Sequence, residues 1–352
     1  MRILLLLSAY LILFGCQSDE QSANSEKLSK LKEVEPSTQT QLQERPPQPA
    51  ADNASAGLYI NQIQFVGSHN SYKMAMPEGF VKHLLKLNPK VVEALEYEHV
   101  TLAEQLDLGM RKLELDVFYV SDENQFLVGH VQQIDMNSNC ATLRICLKQV
   151  SDWSKNNPFH APIWISFNAK DEDILGLPDP ETFTPIAFAL MDSIIEEVLG
   201  DQLIRPLKVA DLNWPLLSDA RGKFIMILDE GGVKRDMYYE GWQQRPMFTN
   251  APEGHPAAGI MILNEPIEQF DEIQRLVAAG YMVRTRADAD TREARGNDTR
   301  RRDAAFASGA QAISTDYYLP ATHFGNDYQV ILPQAIRCNL VAGPTRCQVS
   351  EQ

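Results

Sequence analysis

Short apolar runs that alternate with helix-patterned segments constrain this chain more than any other feature. From residue 58 onward the runs are "IQFVGS", "RKLELDVFYV", "QFLVGH", "PIWISFN", "KFIMILD", "GIMILN", "YMVRTR" and "QAIST". Helix-like stretches lie between several of them, at 142–156, 181–199, 267–279 and 300–309. The clearest, "EPIEQFDEIQRLVAAG", has acids early and Gly280 as a stop just before the next run. Strands separated by helices argue for a parallel α/β sheet. Eight candidate strands without a dinucleotide-binding fingerprint predict that this sheet closes into a barrel. The barrel is expected to be irregular, with loops in place of some helices. Residues 73–108 and 231–258 read as long insertions over its mouth. Residues 58–352 are taken as one domain, because barrels of this length fold as single units.

In such barrels the chemistry gathers at the C-terminal ends of the strands. His69 and Asn70 end the first run, His130 ends "QFLVGH", and Asp229 and Arg284 fall late in theirs. Within "RKLELDVFYV", side chains alternate across the strand, so Leu113, Leu115 and Val117 share one face and Glu114 and Asp116 the other. The apolar face suits packing on helices, which turns both acids into the barrel mouth. Two carboxylates side by side repel unless a cation lies between them, and calcium prefers such oxygen donors. In "PIWISFNAKDED", Ser166, Asn168 and Lys170 share a face. Asn168 reads equally well as a cation ligand or as a turn cap, and Lys170 can meet an anion. His69 and His130 form a second pair, able to exchange protons near neutrality beside a phosphate ester. Arg284 either clamps a phosphate or headgroup oxygen or pairs with Asp288 or Asp290. Asp316 reads as a first- or second-sphere group or as a cap on the last strand.

The ends of the chain supply a location. "MRILLLLSAYLILFGC" has one positive charge, an apolar run and a small residue before Cys16, the pattern of a secretory leader covering 1–15. "LFGC" resembles the lipobox of bacterial lipoproteins, which implies lipidation of Cys16. With Gln17 next, it also implies an outer-membrane address. Residues 16–57 are rich in Ser, Gln, Glu, Pro and Ala and read as a disordered tether. In an exported chain the close pairs Cys140 and Cys146, and Cys338 and Cys347, read as disulfides, since a zinc site would need C-x₂-C spacing. A formal net charge of −15 argues against nucleic acid and against a basic membrane-binding face, and suits a collector of divalent cations. The protein is expected to be a monomer.

"GSHNSY", the "ELD" strand and "VGH", followed by "VRTRADADTREARGNDTRRRDAAFASGAQAISTDYY", resemble the phosphatidylinositol-specific phospholipase C superfamily, and within it the bacterial calcium-dependent members. The resemblance covers roughly residues 58 to 320. It implies a distorted TIM (β/α)8 barrel and a Ca2+-dependent phosphoric diester hydrolase whose substrate is a phospholipid or other phosphodiester. By position it implies that His69 and His130 are the catalytic histidines and that Asn70, Glu114 and Asp116 are calcium ligands. Glu114 is also expected to accept the attacking hydroxyl's proton. Where the eukaryotic pattern has "SLE" this chain has "SFN", so Asn168 replaces an acidic ligand unless Asp171 or Glu172 compensates from the following turn. Two rival readings remain. One is a glycerophosphodiester phosphodiesterase, whose motif is "HRG" rather than "HNS"; the other is a lipid- or glycan-binding lipoprotein without activity.

Overall fold

The structure, a computed structural model, describes residues 57–349 apart from 175 and 346. The leader at 1–15, Cys16 and the tether up to residue 56 lie outside the described residues.

Ten strands form, β1 Ile63–Ser68, β2 Lys112–Val120, β3 Gln125–Val128, β4 Ile163–Ala169, β5 Phe224–Leu228, β6 Met247–Thr249, β7 Ile260–Ile262, β8 Met282–Arg286, β9 Ala312–Thr315 and β10 Ile336–Cys338. Eight of them are parallel neighbours in the order β6-β5-β4-β2-β1-β9-β8-β7, which is chain order around a ring. No ladder joins β6 to β7 among the described residues. The two meet through the Ile262 N–H, which donates to Asn250 Oδ1 at 3.2 Å. The fold is therefore a nearly closed, distorted TIM barrel. Helices Leu143–Asn156, Pro185–Leu199, Gly232–Tyr239, Phe270–Ala278 and Arg300–Ala307 make crossovers, whereas β6 passes to β7 without one.

Two strand expectations need correction. "QFLVGH" gives β3, which is not a barrel stave but an antiparallel partner of β2, with Val117 opposite Val128. Only Ser121–Asn124 separate the two strands, far fewer than the dozen or so residues a parallel crossover requires. The eighth stave is instead β6, three residues inside the stretch 231–258 that reads as one insertion. "MFT" is too short to show any periodicity. The insertion at 73–108 does occur and carries three helices, Glu78–Leu87, Pro89–Leu95 and Leu102–Asp107.

Register fixes what points inward, because paired residues on parallel neighbours share a face. Phe65 pairs with Ala312, Lys112 with Trp164 and Trp164 with Ile225, which places an apolar floor inside the barrel. One step up, Glu114 pairs with Ser166; at the top, Asp116 pairs with Asn168. Leu113, Leu115 and Val117 face outward and pack with Leu143, Leu147 and Val150 of the helix behind them, as the alternation required. The β1–β2 contact is close enough that a Cβ on Gly67 would sit 2.0 Å from the Lys112 carbonyl oxygen, so only glycine fits there.

Both cysteine pairings form: Cys140 with Cys146, and Cys338 with Cys347. The first ties the loop after His130 to the start of helix Leu143–Asn156. The second closes the C-terminal loop behind β10.

Candidate active site

β1 stops where it does because Asn70 adopts a left-handed backbone (φ 45°), a conformation asparagine tolerates better than most residues. The turn that follows is tied to β2. The Ser71 N–H donates to the Glu114 carbonyl at 2.9 Å, and the Glu114 N–H donates to Ser71 Oγ at 2.8 Å. Tyr72, despite its polar company in the sequence, is fully buried in the apolar cluster between sheet and helices. The turn thereby presents His69 and Asn70 to the mouth, Asn70 steadied by its side-chain N–H on Tyr97 Oη at 2.8 Å.

His69 Nδ1 lies 2.8 Å from Asp316 Oδ1. That carboxylate is best served by Nδ1–H, so the Arg286 guanidinium, 3.4 Å from the same nitrogen, acts on it as a nearby charge rather than as a donor. Nε2 is then the free, basic nitrogen. It is buried without a hydrogen-bond partner, and Glu114 Oε1 stands 3.5 Å away, too far for a good bond. Burial lowers the His69 pKa and the Arg286 charge adds to this, against the opposing pull of Asp316 and Glu114. Of the roles open to Asp316 in the sequence, a first- or second-sphere group or a strand cap, its contact is that of a partner orienting this histidine. Burial works against its ionisation, but His69 and Arg286 hold its pKa down.

Glu114 is buried and carries most of the electrostatic interest. Its Oε2 receives the Lys112 ammonium and also Arg284 Nη2, the latter at 2.8 Å. Burial alone would raise its pKa, yet Lys112, Arg284 and His69 together hold it well below the usual carboxylate range. Lys112, two residues before Glu114 on the same strand face, also donates to the Ser68 carbonyl at 2.9 Å and to Ser314 Oγ at 3.0 Å. Burial pulls it down to about 8, with Glu114 resisting. Arg284 does not make the ion pair with Asp288 or Asp290 that was the alternative to a phosphate clamp. Its partners are Glu114 and Asn264, with Asp229 at 3.8 Å.

Asn168 Nδ2 reaches both acids, Asp116 Oδ1 at 2.9 Å and Glu114 Oε1 at 3.3 Å. One point at the mouth is therefore within bonding distance of both carboxylates. The amide's nitrogen and oxygen are near-isosteric, so the same side chain turned over offers an oxygen to that point. The two carboxylates and Asn168, with Asn70 in the turn after β1 as a further amide, could supply a donor set for a hard cation. Among the described residues no group of three or more His, Cys, Asp or Glu side chains is placed to hold a metal, so the amides are needed. Asp171 and Glu172 do not compensate for the neutral Asn168. Both are taken by Lys234 Nζ, at 2.9 Å each. Lys170 stands at the rim, 3.4 Å from Asp116 Oδ2.

His130 also reaches this region, but not because it ends a barrel strand. β3 climbs past the rim with β2 and runs back down, so the Gly129 N–H donates to the Asp116 carbonyl at 3.2 Å and His130 follows. Its Nδ1 is 3.2 Å from Asp135 Oδ2, and Asp135 is held in turn by buried Lys73 at 3.1 Å. Asp135 and Lys73 lacked any sequence signal, since "QQIDMN" and "SYKMA" read as ordinary loop. Both histidines therefore meet a carboxylate at Nδ1, Asp316 for His69 and Asp135 for His130.

The pattern of Ca2+-dependent phosphoinositide phospholipase C matches residues 58–127 and 120–340. No curated protein matches the chain in sequence. The fold is shared with a calcium-dependent phosphoinositol-specific phospholipase C from Pseudomonas sp. The two are 16% identical with a TM-score of 0.52, covering 84% of this chain and 100% of the other. It is shared also with a Ca2+-dependent phosphatidylinositol-specific phospholipase C from Streptomyces antibioticus. That pair is 18% identical with a TM-score of 0.53, covering 79% and 99%. A motif that opens on β1, continues through the paired acids of β2 and closes on β8 and β9 is thus matched along almost the whole described chain, which belongs to the family of Ca2+-dependent phosphoinositide phospholipases C, phosphoric diester hydrolases with calcium as cofactor.

Proposed function

We propose that the protein cleaves the phosphodiester of a phosphatidylinositol-like lipid by attack of a hydroxyl of the headgroup itself. The observation that carries this is the pair of His–carboxylate arrangements beside a four-donor cradle. His69 takes the hydroxyl proton on Nε2, and Asp316 steadies the imidazolium that results. The hydroxyl oxygen bonds to phosphorus. The bond from phosphorus to the diacylglycerol oxygen breaks, and that oxygen takes a proton from Nε2 of His130, oriented through Asp135. We assign proton acceptance to His69 rather than to Glu114, because a carboxylate flanked by Lys112 and Arg284 is too weak a base. Calcium, when held by Asn70, Glu114, Asp116 and Asn168, supplies positive charge to the phosphate oxygens and acidifies the attacking hydroxyl. Lys170 at the rim is available to a headgroup oxygen.

Phosphorus NMR of the reaction with phosphatidylinositol tests the reading directly. A cyclic phosphate should appear first. Cleavage of soluble glycerophosphodiesters to acyclic products, with the inositol lipid untouched, would replace this reading by the rival diesterase.

The His69 environment also sets a pH dependence. Its pKa lies below the ordinary histidine value of 6.5, so the acid limb of kcat/KM should fall below that pH. Arg286→Gln removes a positive charge that disfavours the imidazolium, so the limb should move to higher pH. An unchanged limb would refute the assignment of His69 as the base.

The same reading places the enzyme at a membrane through a lipid on Cys16, supported by the leader pattern and by two disulfides, which belong to oxidising compartments. Cys16→Ser should leave the protein in the soluble fraction after cell lysis. Retention of the variant in the membrane pellet would remove the lipid anchor from the proposal.

A further inference from the structure

The cradle that would hold calcium already contains cations of its own. Glu114 Oε2 accepts from both the Lys112 ammonium and Arg284 Nη2. A carboxylate oxygen has about two lone-pair directions, so both are used and only Oε1 is left for an ion. Asp116 has a weaker competitor, Lys170 at 3.4 Å from Oδ2, while Oδ1 accepts from Asn168. Glu114 therefore gives one oxygen and cannot act as the bidentate ligand found in tight calcium sites. The charge balance points the same way. The two ligand carboxylates face three cationic side chains, and Lys112 and Arg284 are buried where solvent screens them little.

We propose that Lys112 and Arg284 are positioning residues that fix Glu114 as a one-oxygen ligand and hold the calcium site to low intrinsic affinity. The expected range is that of extracellular calcium modules, a Kd on the order of 10⁻⁴–10⁻³ M. Four protein oxygens fill only part of the six to eight positions calcium takes, about half the shell. The remainder is open to substrate phosphate oxygens and water. The inference rests on the calcium-dependent reading above and assigns to the chain a trait that its own buried cations create.

Calorimetric titration of chelator-stripped protein with calcium alone tests it. Wild type should bind in the stated range. Lys112→Met, which removes the ammonium and frees a lone pair of Oε2, should tighten calcium binding at least about tenfold. Lys170→Gln, at the partly exposed rim, should tighten it by a smaller factor and serves if Lys112→Met does not fold. A wild-type Kd at or below about 10⁻⁶ M, the range of calcium sensors, would overturn the proposal. So would unchanged or weaker binding in Lys112→Met or Lys170→Gln. Because the readout is metal binding, the two readings fail separately. Weak binding as expected, without cleavage of phosphatidylinositol, sinks the function and leaves this inference standing. Cleavage with tight calcium binding does the reverse.

Discussion

His69→Ala is expected to lower turnover by at least about 10²–10³-fold while leaving calcium affinity close to normal. The imidazole follows β1 and, among the described residues, approaches the cradle at Glu114 Oε1, 3.5 Å away, so its removal takes no ligand from the ion. It does take away the unpartnered buried nitrogen that faces the reacting region, and it leaves Asp316 without the ring it orients. Asp316→Asn should reproduce part of the loss, because an amide can stabilise the wrong tautomer of the ring. Turnover measured at saturating calcium, beside a calcium titration of the same variant, separates the two effects. A His69→Ala enzyme with normal turnover would remove the base from the mechanism.

The second large effect concerns stability and distinguishes two acids that look alike in sequence. Glu114→Gln leaves the Lys112 ammonium and the Arg284 guanidinium buried with Asp229, 3.8 Å from Arg284, as their nearest remaining countercharge. Breaking a buried ion pair from one side costs about 3–5 kcal/mol, and that loss is expected here at neutral pH by denaturant unfolding. The deficit should shrink as the pH is raised through about 8, where wild-type Lys112 gives up its proton. Without Glu114 the folded variant loses that proton at lower pH than wild type, so its stability rises first and the gap narrows; above about 8 the two rise together. Asp116→Asn should behave differently. Its cationic partner is the partly exposed Lys170, so the fold should hold, while calcium binding and turnover fall together. Equal stability of the two variants would contradict the electrostatic roles assigned to Lys112 and Arg284.

The acids themselves were legible in the sequence because alternation in "RKLELDVFYV" leaves one arrangement that buries Leu113, Leu115 and Val117 against helices. The same alternation puts Lys112 on the inner face, two residues before Glu114. A pattern of faces does not reveal that its ammonium turns up the strand onto that carboxylate. Arg284 joins from 170 residues away, and Asp135 from a loop without periodicity, so neither contact has a local signature. β3 could have been placed correctly, since a four-residue connection excludes a parallel neighbour. β6 could not, because three residues carry no period. Both histidines were expected at strand ends around the mouth; His69 follows β1 as expected, whereas His130 arrives on a strand running against the barrel.

The meeting of β6 and β7 makes the molecule, in the language of sheets, an object with two edges rather than none. Edges are where strands of other chains can add, and short edge strands are one of the ways proteins discourage this. Here both edges are three residues long and, among the described residues, meet where the Ile262 N–H donates to Asn250 just past β6. A wall without a ladder at one seam is expected to open there before it opens at its hydrogen-bonded strand pairs. Native-state hydrogen exchange should find its earliest sheet openings there, at β6 and β7, while β2 and β4, joined by six register pairs, stay closed longest.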